Sequence, residues 1–254
     1  MFPHLKWVMK SSAELNNMVK KILTLLKEYI IEHKVFLALF IVLGILAYKF
    51  SYIDILITNL FYNENGFYLA DNTFGLIIYE GAYYLTIAVI LLLLVMLLLN
   101  LFKNIKPFGM PRKAVIFFIV VVIMAPGIVV NSILKENVGR PRPIHITEYG
   151  GTAVFQPPFV ISNQCENNCS FVSGHAAFAF TFMVIGLLFR NRLRHIICTS
   201  GFIFGALVGF VRIFQGKHFF TDVVFAFFFT WLTITLIYKF FYPNDQLPDI
   251  IQKN

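Results

Sequence analysis

Charge is scarce in this chain. Of its 254 residues only 13% are Asp, Glu, Lys or Arg, about half of what a soluble domain uses to cover its surface, which excludes an ordinary water-soluble globular fold. The 58% hydrophobic content excludes intrinsic disorder by the same arithmetic, because disordered chains are poor in apolar residues. Cysteine is nearly absent, with three residues, and no complementary cluster at zinc-ligand spacing surrounds them, which argues against a zinc site. No solenoid period, collagen pattern or low-complexity tract runs through the chain. The first apolar run begins only near Val35 and no small-residue cleavage site follows it, so the N-terminus does not read as a secretory signal peptide. What is abundant is apolar: 30 Phe, 11 Tyr and a mean hydropathy of +0.75. Against that background the net charge of +8 requires an explanation.

A bilayer core about 30 Å thick takes around 20 residues of helix to cross. Six stretches meet or nearly meet that length, at residues 35–50, 76–102, 114–134, 171–189, 196–214 and 222–242. An exposed strand edge in lipid would leave backbone groups without partners, so the expected fold is all-α, a polytopic membrane protein with six transmembrane helices. Pro126 and Gly127 predict a kink in the third span. The first is short, and residues 52–60 are a candidate extension of it. The domain plan is an N-terminal arm over 1–34, a membrane domain over 35–242 and a C-terminal tail over 243–254. Within the arm, Met18, Val19, Ile22, Leu23, Leu26 and Ile30 recur at helical spacing, the pattern of an amphipathic helix lying in the membrane interface.

Lys and Arg in short loops mark the cytoplasmic side. Lys6, Lys10, Lys20, Lys21, Lys27 and Lys34 in the arm, Lys103, Lys106, Arg112 and Lys113 after the second span, Arg190, Arg192 and Arg194 after the fourth, and Lys239 and Lys253 after the sixth all fall on one side of a six-span chain. That places both termini in the cytoplasm. Lys49, Lys135, Arg140, Arg142, Arg212 and Lys217 are left on the opposite face, where the orientation rule expects few cations. Cys165 and Cys169 lie on that outer side, open to a disulfide, two free thiols or a metal pair.

Three clusters lie at the outer face: Lys135-Glu-Asn-Val-Gly-Arg-Pro-Arg142-Pro143, Ser173-Gly174-His175, and Arg212 followed by Lys217, His218 and Asp222. Their chemistry suits a phosphate. Arg and Lys neutralise a dianion, and Ser173 and Gly174 stand where a helix begins, so unpaired backbone N–H groups can face it. If a helix begins by His218, Asp222 lies one turn away and can hold one ring nitrogen while the other attacks. His175 is then available to protonate the departing alkoxide.

The three clusters together resemble the tripartite signature of the type 2 phosphatidic acid phosphatase superfamily. Lys135 with six residues before Arg142-Pro143, Ser173-Gly174-His175, and Arg212 with five residues before His218 and three more before Asp222 carry the resemblance. It departs at Val172, where Pro is common, and at Val211, where Ser is common. The resemblance implies a helical-bundle core and metal-independent hydrolysis of a lipid phosphomonoester or diphosphate through a phosphohistidine on His218. Asp222 would orient that nucleophile and His175 would be the general acid. Lys135, Arg142, Ser173, Gly174 and Arg212 would hold the phosphoryl oxygens, with no metal and no cofactor. The run from Cys165 to His175 is similar to bacterial lipid A phosphatases, which implies a lipid A phosphate as substrate, and the basic clusters that break the orientation rule at the outer face lead us to expect a periplasmic site on a bacterial inner membrane. Isoprenoid diphosphate, phosphatidylglycerophosphate, phosphate transfer to a lipid acceptor, or a non-catalytic lipid-binding or transport role are the alternatives. No nucleic-acid partner is expected, and the oligomeric state stays open. Outside the signature, Arg140 is a candidate for a second phosphate and Lys217 for a rim charge. His145 and Glu148 read as solvated, Glu80 as a helix-packed acid, and Tyr79, Tyr83 and Tyr84 as an interfacial belt.

Overall fold

The computed structural model describes residues 3–70 and 72–243, with side chains from Glu14 onward other than that of Phe74. The tail expected over 243–254 therefore lies, from residue 244, outside the described residues, as do the side chains of Lys6, Lys10 and Lys253. Two units divide the chain, residues 1–42 and 43–254.

Among its described residues the first unit is two helices joined at His33. Helix α1 (Pro3–Glu32) covers the amphipathic stretch and leaves Met18, Val19, Ile22 and Leu23 exposed. The segment Glu14–Glu32 bends by 71° into α2 (Lys34–Lys49), which carries the chain into the second unit.

In the second unit α2 ends at Lys49, and residues 52–60 do not extend it as expected. They form a separate helix, α3 (Tyr52–Asn59), with Asp54 and Thr58 fully buried. Polar groups of that kind need protein partners, so this segment docks on protein instead of continuing into lipid. A two-residue hairpin, β1 (Tyr62–Asn63) with β2 (Gly66–Phe67), leads to α4 (Thr73–Phe102). Leu91, Leu92, Leu94 and Val95 are exposed on α4, the mark of a helix apolar all round and solvated by lipid.

Helix α5 (Arg112–Val122) runs on through a wider, π-type segment, Ile123–Lys135, and closes in α6 (Glu136–Val138). Pro126 was expected to kink this span. The irregularity takes the form of wider turns, in which the Asn131 side-chain amide donates to the Pro126 carbonyl at 2.7 Å and the Ser132 hydroxyl to the Gly127 carbonyl at 3.3 Å. Gly139, in the left-handed region at φ 64°, then stops the helix just before Arg140.

The second half is a tight bundle of α7 (Gly174–Thr181), α8 (Met183–Leu187), α9 (Asn191–Phe214) and α10 (Phe220–Phe241). Phe117, Val121, Phe178, Val184, Ile234 and Tyr238 pack in its core with α4 and α5 alongside. A smaller core of Ile55, Phe67, Ile146, Tyr149 and Phe219 binds α3, the hairpin and the outer loop to the start of α10. The Tyr149 hydroxyl donates to Asn59 Oδ1 at 2.8 Å within it.

Among the described residues four helices are long and apolar enough to cross a membrane: Gly75–Phe102, Arg112–His145, Asn191–Phe214 and Phe220–Phe241. The bent pair of Glu14–Glu32 and Lys34–Lys49 makes a fifth if counted as one span. The all-α membrane architecture is borne out at that level. Two of the six expected spans are shorter than a bilayer crossing: α2 has 16 residues, and the span expected over 171–189 is the apolar stretch Gly174–Leu187, broken at Phe182.

Candidate active site

Lys135 closes the π-type segment and Arg142 follows in extended backbone ahead of Pro143. Both turn toward one residue. Lys135 Nζ donates to Asn168 Oδ1 at 3.1 Å, and Arg142 Nε donates to the Asn168 carbonyl at 2.9 Å. Asn168 adopts φ 52° inside the loop between Cys165 and Cys169, which are bridged, with their Cα atoms 5.6 Å apart. Of the three states open to these cysteines, the disulfide is the one observed.

Ser173 is the N-cap of α7. Its hydroxyl oxygen accepts from the Ala176 N–H at 3.4 Å, which leaves its own hydrogen free to donate. Gly174 opens the helix, where a Cβ would stand 2.7 Å from Asn131 Oδ1 and 3.4 Å from Lys135 Nζ. A side chain here would collide with the Asn131 amide, while the lysine stands at ordinary contact distance. The His175 ring lies 5.1 Å from that of Tyr79 of α4, tilted by 39°, and the Arg212 guanidinium lies 4.9 Å over the same tyrosine while bonding Gln215 Oε1. Tyr79, expected in an interfacial belt, is a wall of the site.

His218 is wholly buried. Its Nδ1 lies 2.8 Å from the Ser170 carbonyl, which can only accept, so Nδ1 carries the hydrogen and Nε2 holds the lone pair. Nε2 has no hydrogen-bond partner among the described residues. Burial holds the imidazole pKa well below its usual value, and Lys135, Arg142, Arg212 and His175 push it the same way. The ring is a neutral base with one free, desolvated nitrogen.

The relation of His218 to Asp222 differs from expectation. Helix α10 begins at Phe220, after His218, so the two are not stacked one helical turn apart. Asp222 reaches back instead to cap the helix, Oδ2 accepting from the Phe219 N–H at 2.8 Å and from the Ser170 hydroxyl at 2.5 Å. His218 Nδ1 is 3.7 Å from that oxygen. Ser170 thus stands between them, its carbonyl on the histidine and its hydroxyl on the aspartate.

Arg140 is not exposed at all, and the reading of it as a contact to a second phosphate is overturned. Its Nη1 donates to Asp222 Oδ1 at 2.6 Å and to Thr221 Oγ1 at 3.0 Å. Its Nη2 donates to Asp54 Oδ2 at 2.8 Å and its Nε to the Gln156 carbonyl at 2.8 Å. Asp54 also accepts from the Thr221 N–H at 2.9 Å and the Thr221 hydroxyl at 2.6 Å. Four of the five guanidinium N–H groups are thus bonded, two of them to carboxylates, and the whole group is buried away from any ligand. His145, Glu148 and Glu80 are exposed, the first two as expected and Glu80 against the expectation of helix packing. Among the described residues no cluster of His, Cys, Asp and Glu could hold a metal.

The eight expected residues therefore surround one place, joined by Asn168, Ser170 and Arg140, which lie within the quoted runs but are not signature positions, and by Tyr79 and Asp54, which lie outside them. A cavity of about 330 Å³ opens beside it between α4, the π-type segment and α7. Lys135, Asn168, Gly174 and His175 lie at its polar end, and Ile87, Ile90 and Phe178 along its apolar wall.

The sequence model of the PAP2 superfamily matches residues 114–246, more than half of the chain, and this stretch contains all three motifs. The chain belongs to the PAP2 superfamily. The resemblance read from the motifs is borne out. A lipid A 4'-phosphatase of Francisella tularensis subsp. novicida (strain U112) is 35% identical over 221 residues, covering 81% of this chain and 97% of the relative. Lipid A 4'-phosphatases of Rhizobium leguminosarum and Rhizobium etli are 33% and 32% identical over 116 residues, 46% of this chain and 48% and 44% of theirs. No solved structure matches the chain. The PAP2 stretch begins in α5, so α3 and its Asp54 lie outside it while touching its centre.

Proposed function

We propose that this PAP2 protein is a membrane lipid phosphatase that removes a phosphate ester from lipid A, the 4'-phosphate named for its relatives, through a phosphohistidine on His218. The observation that carries the reading is the buried, unpartnered Nε2 of His218 amid Lys135, Arg142, Arg212 and His175. A free imidazole lone pair surrounded by cations suits attack on a phosphate dianion, and simple anion binding does not require one.

In the first step Nε2 attacks phosphorus as the P–O bond to the sugar breaks. The electron pair leaves with that oxygen, which takes a proton from His175. The dianion held among the cations is the negative charge that makes an imidazolium at 175 tolerable. Arg142 and Arg212 hold the phosphoryl oxygens with Lys135, the Ser173 hydroxyl and the N–H groups at the start of α7. In the second step His175 takes a proton from water, whose oxygen bonds phosphorus as the Nε2–P bond breaks. Asp222, acting through Ser170 and across 3.7 Å, steadies the ring as it becomes cationic.

The chain crosses a bacterial inner membrane six times in this reading, with α2 and the α7–α8 pair as the short crossings, both termini cytoplasmic and the site periplasmic. The exposed apolar stripe of α1 lies in the cytoplasmic interface. The cations gathered at Asn168 support that sidedness, because phosphate binding accounts for positive charge where topology alone would not put it. Purified protein in EDTA should release inorganic phosphate from lipid A and leave a product lighter by one phosphate at the 4' position. Loss of phosphate from another position, or none from lipid A while isoprenoid diphosphate or phosphatidylglycerophosphate is cleaved, refutes the substrate assignment.

A further inference from the structure

Asp54, Arg140 and Thr221 take no step in the reaction above, yet they are among the most deeply buried polar groups of the chain, all within 4% exposure. Asp54 and Asp222 bring two negative charges and Arg140 one positive, all three side chains shut off from water. Desolvation works against the ionised form of Asp54 and Arg140 favours it; with both carboxylates held ionised by the guanidinium, the trio carries one net negative charge beside His218. When Nε2 bonds to phosphorus the ring keeps its Nδ1 hydrogen and gains a positive charge, which a fixed negative neighbour in a dry site stabilises strongly. A lone Asp222 would supply that charge too, but a buried carboxylate without a charged partner tends to take up a proton.

We propose that Asp54 and Arg140 are positioning residues for His218: Arg140 keeps Asp222 ionised and aimed, and Asp54 offsets the charge of Arg140, so that one negative charge remains beside the nucleophile. Both carboxylates also lie at the N-terminus of α10, whose unpaired N–H groups favour them there. Asp54 accepts from the Thr221 N–H and Asp222 from the Phe219 N–H. Through Asp54, the seating of α3 bears on the chemistry of a site whose eight signature residues all lie in the PAP2 stretch. The groups facing the trio are limited. Asp222 meets Arg140, Ser170 and His218 and lies within the field of Lys135 and Arg142; Asp54 meets Arg140 and Thr221 and lies within that of Asp222 and Tyr149; Lys135, Arg142, Arg212 and His175 act on His218. The proposal rests on the phosphohistidine reading.

The decisive variant is Asp54→Asn, which keeps the shape and an acceptor oxygen for Thr221 but neutralises the trio. Its kcat should fall about tenfold or more, with KM within about twofold of wild type. Arg140→Gln leaves two facing carboxylates that must share a proton, so the acid limb of its kcat–pH profile should move to higher pH. The double variant Asp54→Asn/Arg140→Gln, with one carboxylate left, should return the limb toward wild type. Folded Asp54→Asn protein with wild-type kcat and pH profile overturns the proposal, as does loss of activity in all three variants with an unmoved limb. Should Arg140→Gln fail to fold, Asp54→Asn decides alone. Rapid quench of radiolabelled phosphate on His218 separates the two readings. No label in wild type defeats the phosphohistidine, whereas label forming as fast in Asp54→Asn as in wild type defeats only the positioning role.

Discussion

Lys135 and Arg142 on one side and Arg140 on the other belong to a single short motif, yet the fold gives them opposite work. Lys135 and Arg142 are bonded to the side-chain and backbone oxygens of Asn168, and Arg212 to the amide oxygen of Gln215. Neutral oxygens orient a cation without cancelling it, so the field of all three reaches the space in front of His218. Arg140 is bonded to two carboxylates and cancelled in full. Whether a basic residue recruits an anion or builds the scaffold is decided by the charge of its partner.

Substitutions break this contrast in a definite order. His218→Ala removes the group that both sides serve, and phosphate release should fall at least about 10⁴-fold in folded, detergent-purified protein. Arg212→Gln weakens the open side alone. A loss of about 10² to 10³ in kcat/KM is expected, with Arg212→Lys recovering only part of it because an ammonium lacks the planar fork. Gly174→Ala forces a methyl toward Asn131 and Lys135, and should lower unfolding stability by about 1–3 kcal/mol in thermal melts as well as impairing turnover. Asn168→Ala removes the Lys135 acceptor but keeps the carbonyl for Arg142, so KM should rise only several-fold, read from initial rates on lipid A.

The smallest effect concerns pH and stability. His218 is neutral in the fold, with its pKa lowered, while the unfolded chain takes a proton at about pH 6.5. The stability this difference contributes is fully present above that pH. It is lost progressively as pH falls through the unfolded value toward the folded one, because only the unfolded chain is then protonated. Melting temperature should therefore decline below about pH 6.5, and the decline should be shallower in His218→Asn.

Much of the candidate site is legible because its residues carry fixed spacings: all eight expected residues converge, and cap chemistry at Ser173-Gly174 marks the start of α7. The spans at α4, α5, α9 and α10 followed from apolar length alone. What escaped reading depends on contacts between distant segments. Asp54 and Arg140 are 86 positions apart, and no local pattern announces that one will neutralise the other. Asp222 was expected to hold His218 directly, but the helix starts two residues later than that geometry needs, and Ser170 fills the gap. Tyr79 sits in an apolar helix whose composition says lipid on every side, and only its packing on His175 and Arg212 reveals otherwise. Pro126 signals an irregularity in the third span, and the form it takes, wider turns over Ile123–Lys135, is not specified by the proline alone.

The capping of α10 by Asp54 also bears on how the molecule can be divided. The stretch shared with the superfamily, residues 114–246, reads as a self-contained module on paper. Cut free, it would leave the Thr221 N–H uncapped and Arg140 short of one of its two counter-charges, inside a core with no water to replace them. The recognisable half of the protein is thus not a detachable one. Its boundary in three dimensions runs through α3, and grafting, truncation or permutation of this enzyme has to carry that helix along.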